Sequence, residues 1–192
     1  MTPLIWMSME PPGHCVLDPT FIPNTRKLHA GEPVAGEFPK DVTYRMSDRF
    51  PDDLLLSDTF KVSGQILASS AMKTHLEAAL PGHNIEYLPV TIVNHKQRVA
   101  SSEYFIVHSL DVVDCIDVKK SKVKWNPLNK TTIMSCKGLV ISSEAIPSHL
   151  RLFRPKHWGD NMMAASDLAT ALESSGFSGL RFIPAAGFTG IG

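Results

Sequence analysis

The chain has 192 residues, 43% of them apolar and 20% charged, with 19 basic and 19 acidic side chains. Those values argue against a disordered, fibrous or membrane-class chain, and the neutral total argues against a dedicated nucleic-acid binder with its usual basic surplus. The charge is nevertheless uneven, with 8 basic and 11 acidic groups in residues 1–96 and 11 and 8 in residues 97–192. No apolar run approaches the roughly 18–20 residues that span a bilayer. The opening MTPLIWMSMEPPGH lacks a basic n-region and a long apolar stretch, so a cytoplasmic location is expected. Cys15, Cys115 and Cys136 are odd in number and far apart, which predicts buried reduced thiols rather than disulfides or a cysteine zinc site.

Residues 1–53 hold eight of the fourteen prolines. Proline fixes φ and removes a backbone donor, so this segment is expected to supply only short extended pieces, such as Thr20–Ile22 and Val42–Arg45, at sheet edges. The expected division is a Pro-rich segment, 1–53, packed on a core domain, 54–192. The first helix signal is SSAMKTHLEAAL, from Ser69 to Leu80, with an N-cap serine, an apolar face at Met72, Leu76, Ala79 and Leu80, and Pro81-Gly82 as the stop. Ile85–Val93 and Glu103–Val113 then read as an antiparallel hairpin around the polar connector His95–Ser102. Gly138–Ser142 and Leu150–Arg154 read as further strands. Ser166–Ser175 reads as a second helix, with Ser166 as N-cap and Gly176 just past its end. Leu180–Ile183 is a last short strand, and AAGFTGIG after it reads as a loose end.

The segment beginning at Ala68, ASSAMKTHLEAALPGHNIEYLPV, aligns with AASDLATALESSGFSGLRFIPA beginning at Ala164, once one loop residue is dropped. Ser70 matches Ser166, Thr74 matches Thr170, Leu76-Glu77 matches Leu172-Glu173, and Pro89 matches Pro184. Convergence on a helix-turn-strand unit and internal duplication both account for this. Either way the expected class is α+β, a largely antiparallel sheet covered by a few helices.

Chemistry concentrates in VHSLDVVDCIDVKKSKVKW, residues 107–125. Asp114 and Asp117 are close enough in sequence to hold a hard cation or to divide acid and base roles, but three residues apart on a strand they face opposite ways. Lys119, Lys120, Lys122 and Lys124 beside Trp125 are raw material for single-strand binding, and equally for a solvated face paired with the aspartates. The eight histidines form neither H-x-x-x-H nor H-E-x-x-H, and His108, in an apolar strand, reads as a core histidine. No G-x-S-x-G, G-x-x-x-x-G-K-[ST] or G-x-G-x-x-G is present.

Four phrases in this order, SSAMKTHLEAALPGHNIEYLPV, DVVDCIDVKKSKVKW, KGLVISSEAIPSHLRLFRPK and ASDLATALESSGFSGLRFIP, resemble a bacterial immunity-protein family of polymorphic toxin systems, typed after a myxobacterial protein. The resemblance runs from about Leu54 to Pro184. Its most specific parts are D-x-x-D-x-x-x-S at Asp114, Asp117 and Ser121, then Phe153-Arg154, then Gly179–Phe182. It implies a protein with no enzymatic activity and no cofactor. Such a protein binds and neutralises a cognate toxin whose gene commonly lies next door, often in systems delivered by cell contact or type VI secretion. A local acidic patch could make the contact, and Glu103, Asp111, Asp114, Asp117 and Trp125 are its candidate residues. Two other functions stay open: a metal-dependent enzyme using Asp114, Asp117 and a distant histidine, and a nucleic-acid module using Lys119–Lys124.

Overall fold

The computed structural model describes residues 2–191. Its elements are β1 (Pro3–Ser8), α1 (Thr25–Ala30), β2 (Thr43–Arg45), β3 (Thr59–Val62), β4 (Gln65–Ser69), α2 (Ser70–Ala79), β5 (Ile85–Val93), β6 (Val99–Ser109) and β7 (Val112–Val113). There follow β8 (Lys122–Trp125), β9 (Ile133–Lys137), a short 3₁₀ turn (Ser143–Ala145), β10 (Leu152–Pro155), β11 (Met163–Ala165), α3 (Ser166–Ser174), β12 (Leu180–Pro184) and β13 (Gly190–Ile191). Three sheets result, with strand orders β2-β5-β6-β4-β3, β12-β1-β11-β10-β7 and β13-β9-β8. The class is α+β and the pairing mostly antiparallel; only β2 on β5 and β7 on β10 are parallel among the strand pairs.

Sheet alternation explains how one chain builds three adjoining cores. Ile66, Ala68 and Val107 point towards the helices, while Leu67 and Ile106 point to the other face of the first sheet. There they meet Cys15, Leu17, Ile22, Leu28 and Val34, so residues 15–46 cover that face. The second sheet is used in the same way. Trp6 faces α2 and α3, packing with Met72, Leu76, Leu168 and Leu172, whereas Ile5 faces Phe153, Trp158 and Met163 under the third sheet. A strand buried on both faces reads as a continuous apolar run, which is what LIWM is.

The fold differs from the sequence expectations at several places, among them β6, which runs Val99–Ser109 and leaves Val112–Val113 as the separate strand β7 instead of one strand Glu103–Val113. Residues 3–8 lie in the proline-rich stretch yet form β1, a central strand bonded to β11 on one side and β12 on the other. Pro3 opens the strand, where no ladder donor is needed. Ser166 is the first residue of α3 rather than its cap; Ala165, buried at the end of β11, holds the cap position with φ −64° and ψ 147°. Gly138–Ser142 is not a strand, because Gly138 turns the chain at φ +69° just after β9, and Ile141 keeps only an isolated bridge to Ile116. Helix α1 and the β8–β9 hairpin were not expected at all. The C-terminal stretch is anchored rather than loose: Phe188 packs on Trp158, Leu139 N donates to Phe188 O at 2.9 Å, and Gly190 pairs with Cys136. Its last residue, Gly192, lies outside the described residues. The expected Ser69 cap is present, its Oγ accepting from Met72 N at 3.2 Å, and β5 has the expected bounds.

The aligned segments occupy equivalent positions in two sheets. In the first, Ala68, Phe105 and Pro89 lie side by side across β4, β6 and β5, followed by Leu67, Ile106 and Leu88. In the second, Ala164, Leu4 and Pro184 lie across β11, β1 and β12, followed by Met163, Ile5 and Ile183. Each unit is a hairpin, a helix and a returning strand, with one antiparallel strand seated between the two parallel ones. In the first that strand is β6, which follows the unit; in the second it is β1, from the other end of the chain. The equivalence extends to the hairpins, where Phe60 opposes Leu67 and Phe153 opposes Met163, and it therefore pairs Lys61 with Arg154.

Candidate functional site

Helix α1 is a turn and a half closed at both ends by left-handed residues, Asn24 (φ 60°) and Gly31 (φ 70°). Thr25 Oγ1 donates to Ile22 O at 2.5 Å. Leu28 anchors it in the first core, which turns Arg26 and His29 outward. Two glycines bring α1 against the segment after β10: a methyl group on Gly159 would collide with the His29 carbonyl, and one on Gly31 would collide with the Val112 side chain. Between α1 and the β8–β9 loop opens a cleft of about 830 Å³, walled by Arg26, His29, Thr131, Lys156, His157 and Asp160 among others. A second lobe of about 530 Å³ holds Met7, Ser8, Lys61 and Asn161, and the two lobes share His29 and Asp160.

At this junction a single carboxylate, Asp160, acts on two buried cations and lies against a histidine. His29 Nδ1 lies 3.0 Å from Asp160 Oδ1. Burial lowers the His29 pKa and outweighs the pull of the carboxylate, so the neutral ring stands beside Asp160 without a hydrogen bond to it. Burial also pushes Lys61 down to about 8, and its ammonium donates to Asn161 Oδ1 at 2.8 Å. Arg154, 1% exposed, is pushed down to about 10 by burial against the attraction of Asp160, so it stays charged; its Nη1 donates to Gly159 O at 2.5 Å. Asp160 is thus the carboxylate that attracts both repeat-equivalent cations. Ser8, one of two serines lining the smaller lobe with Ser63, donates to Glu10 at 3.3 Å.

His108 is fully buried in β6, with Nε2 2.8 Å from the Glu32 carbonyl, and burial lowers its pKa as it does that of His29. Two histidines held neutral in the fold must both be protonated on unfolding in acid. Between the depressed native pKa values and the unfolded value near 6.5 the unfolded chain binds more protons, so stability falls as pH drops below about 6.5. Urea midpoints measured from pH 7.5 down to 5 are expected to decline, and less steeply in His108→Gln, which keeps a donor for Glu32. A wild-type midpoint that does not change across this range would refute the neutral buried state.

The sequence candidates fall into two groups. Asp114 forms an ion pair with Lys156 at 2.8 Å, and the ring of Trp125 meets that of the next residue, His157, edge-on at 5.6 Å, so these two share one flank. Asp117 adjoins them on the loop before β8. Its Oδ1 accepts from the N–H groups of Lys119 and Lys120, both at 3.1 Å, and the Lys120 amide and ammonium hold its carboxyl below the usual range. Ser121, the last residue of the D-x-x-D-x-x-x-S pattern, is buried and accepts from Val140 N at 2.8 Å. Asp111 sits apart, accepting from Asn84 Nδ2 at 2.8 Å and Asn84 N at 3.1 Å. Glu103 is exposed beside the start of α2, six residues before the end of β6 and so about 20 Å from it along the strand. The three cysteines are buried and unpaired, Cys15 pushed up to about 11 and Cys115 to about 12 by burial.

Sequence reasoning missed His29, Lys61, Arg154 and Asp160, which come from three distant segments with no spacing in common. The alignment of repeats contained a signal, since continued backwards with three extra residues in the second hairpin loop it sets TFKV, residues 59–62, over LFRP, residues 152–155.

The fold and its cleft define an α+β protein of three sheets in which one carboxylate, Asp160, serves two buried cations. No curated protein is similar enough to be matched to it. Residues 9–187 match the model of the immunity protein family (Imm11), nearly the whole chain, and the protein belongs to that family. No helix among the described residues is long and apolar enough to cross a membrane.

Proposed function

We propose that this protein binds a cognate bacterial toxin and neutralises it one to one, by obstruction and without chemistry of its own. The family match over residues 9–187 carries this reading. The site supports it: Asp114 and Asp117 are each engaged by a neighbouring lysine, Asp160 lies against His29, and the thiols are buried. An inhibitor of this kind needs a rigid scaffold and roughly 800 Å² of contact surface, not a reactive group. The proposed contact flank holds Asp114, Asp117 and Trp125. The setting would be the cytoplasm of a bacterium that competes with neighbours through polymorphic toxins, type VI secretion among their routes.

Co-expression with the toxin encoded beside this gene tests the proposal. Growth should be rescued, and the two chains should copurify in equal amounts. Rescue without a stable complex, or loss of toxin activity at catalytic amounts of this protein, would defeat it.

A further inference from the structure

The acidic residues of the contact flank are already engaged, whereas its lysines are largely free. The span Asp117–Lys137 holds six lysines and one aspartate, net +5, so the rest of a neutral chain carries −5. All six lysines are exposed. Among the described residues, only Lys120 forms an ion pair, with Asp117 at 3.2 Å. Lys122 stands directly opposite Lys137 across the β8–β9 hairpin, a like-charge pairing that costs stability and has no carboxylate on the hairpin to relieve it. Guarding an edge strand against aggregation explains lysines on β8. It does not explain Lys137, because β9 is the central strand of that sheet.

We infer that the β8–β9 hairpin is the toxin-docking element and receives an acidic, extended segment of the toxin along the free edge of β8. The inference rests on the immunity reading and names the chemistry of the partner. Lys122 and Lys124 are exposed on one face of β8, while Val123 and Trp125 on the other pack on the third core. Alternate residues of a strand are about 6.8 Å apart, so the matching signature is a carboxylate at every second position. The outer edge of β8 has no strand beside it, and a partner strand would pair its backbone groups there. Leu128 at the hairpin tip, 97% exposed, provides an apolar contact at the end of the strip. A nucleic-acid strand fits less well: Trp125 is half-buried, packed on the third core and against His157, so its ring is not free for stacking.

The experiment compares wild type with Lys122→Glu/Lys124→Glu and with the control Lys40→Glu/Lys96→Glu, which makes the same charge change at exposed sites elsewhere. The probes are the toxin polypeptide encoded beside this gene and a single-stranded oligonucleotide. The hairpin variant should bind the toxin about a hundredfold more weakly, mostly through slower association, and the control should stay within about threefold. Wild-type affinity should fall with salt, the neutral variant Lys122→Gln/Lys124→Gln should lose about tenfold, and the hairpin variant should melt no lower than wild type. Equal binding by the hairpin variant overturns the inference while the immunity reading stands. Oligonucleotide binding at physiological salt that the hairpin variant abolishes overturns it in favour of a nucleic-acid partner. No wild-type binding to the toxin overturns the immunity reading and the inference together.

Discussion

Trp6→Ala is expected to lower the free energy of unfolding by about 3–5 kcal/mol, the range for emptying a large aromatic site in a core. A domain of ordinary stability has roughly 5–15 kcal/mol in total, so the variant should be barely folded at 37 °C. Trp6 is fully buried and lies 5.2 Å from the ring of Phe182. It faces both helices, so the loss falls where the two repeated units meet. The site cannot collapse easily, because the β1 backbone is bonded to strands on both sides and Trp6 N donates to Met162 O at 2.9 Å. Urea unfolding of the variant beside Trp6→Phe, which keeps a ring, measures the effect. An alanine cost below about 1 kcal/mol would contradict the packing described above.

Asp160→Ala is expected to cost about 3 kcal/mol, although no direct hydrogen bond joins Asp160 to either cation. Its carboxylate is the charge that offsets Arg154, almost wholly buried, and Lys61. Removing one member of a buried charge group leaves the others uncompensated, which typically costs about 3–5 kcal/mol; the Asp160 side chain is 30% exposed, which places it at the low end. The double variant Asp160→Ala/Arg154→Met should recover about half of the loss, since an apolar side chain there no longer needs a counter-charge, while the Gly159 carbonyl loses its donor. If the double variant is less stable than Asp160→Ala alone, packing by Arg154 matters more than its charge.

Where local rules decided the outcome, the sequence reading holds. Helix α2 has its serine cap and stop, β5 has the expected bounds, and α3 and β12 follow in order, although α3 is capped by Ala165 and β6 runs Val99–Ser109 instead of Glu103–Val113. β2 is an edge strand as proline content suggested. What was not legible depends on partners distant in sequence. PLIWMS has six residues and no turn signal of its own, and only β11 and β12 make it a central strand. The β8–β9 hairpin was hidden because four lysines in six residues suggested a solvated run, although Val123, Trp125, Ile133 and Cys136 alternate inward. Helix α1 is too short for a periodic signal and is defined by its two left-handed ends. The cleft is assembled from residues 7–8, 26–32, 61–64, 112, 128–132 and 155–161, so its chemistry has no linear motif.

The seating of Pro3–Ser8 between Met163–Ala165 and Leu180–Pro184 also has a cost in time. A ribosome adding about 5–20 residues per second needs roughly ten to forty seconds to deliver those distant partners. Until then the newborn chain carries an apolar ribbon with both flanks open, a target for chaperones and for other nascent chains. Under the proposed function, shelter against a poison lags behind translation, and a cell that relies on this molecule has to keep a finished stock of it.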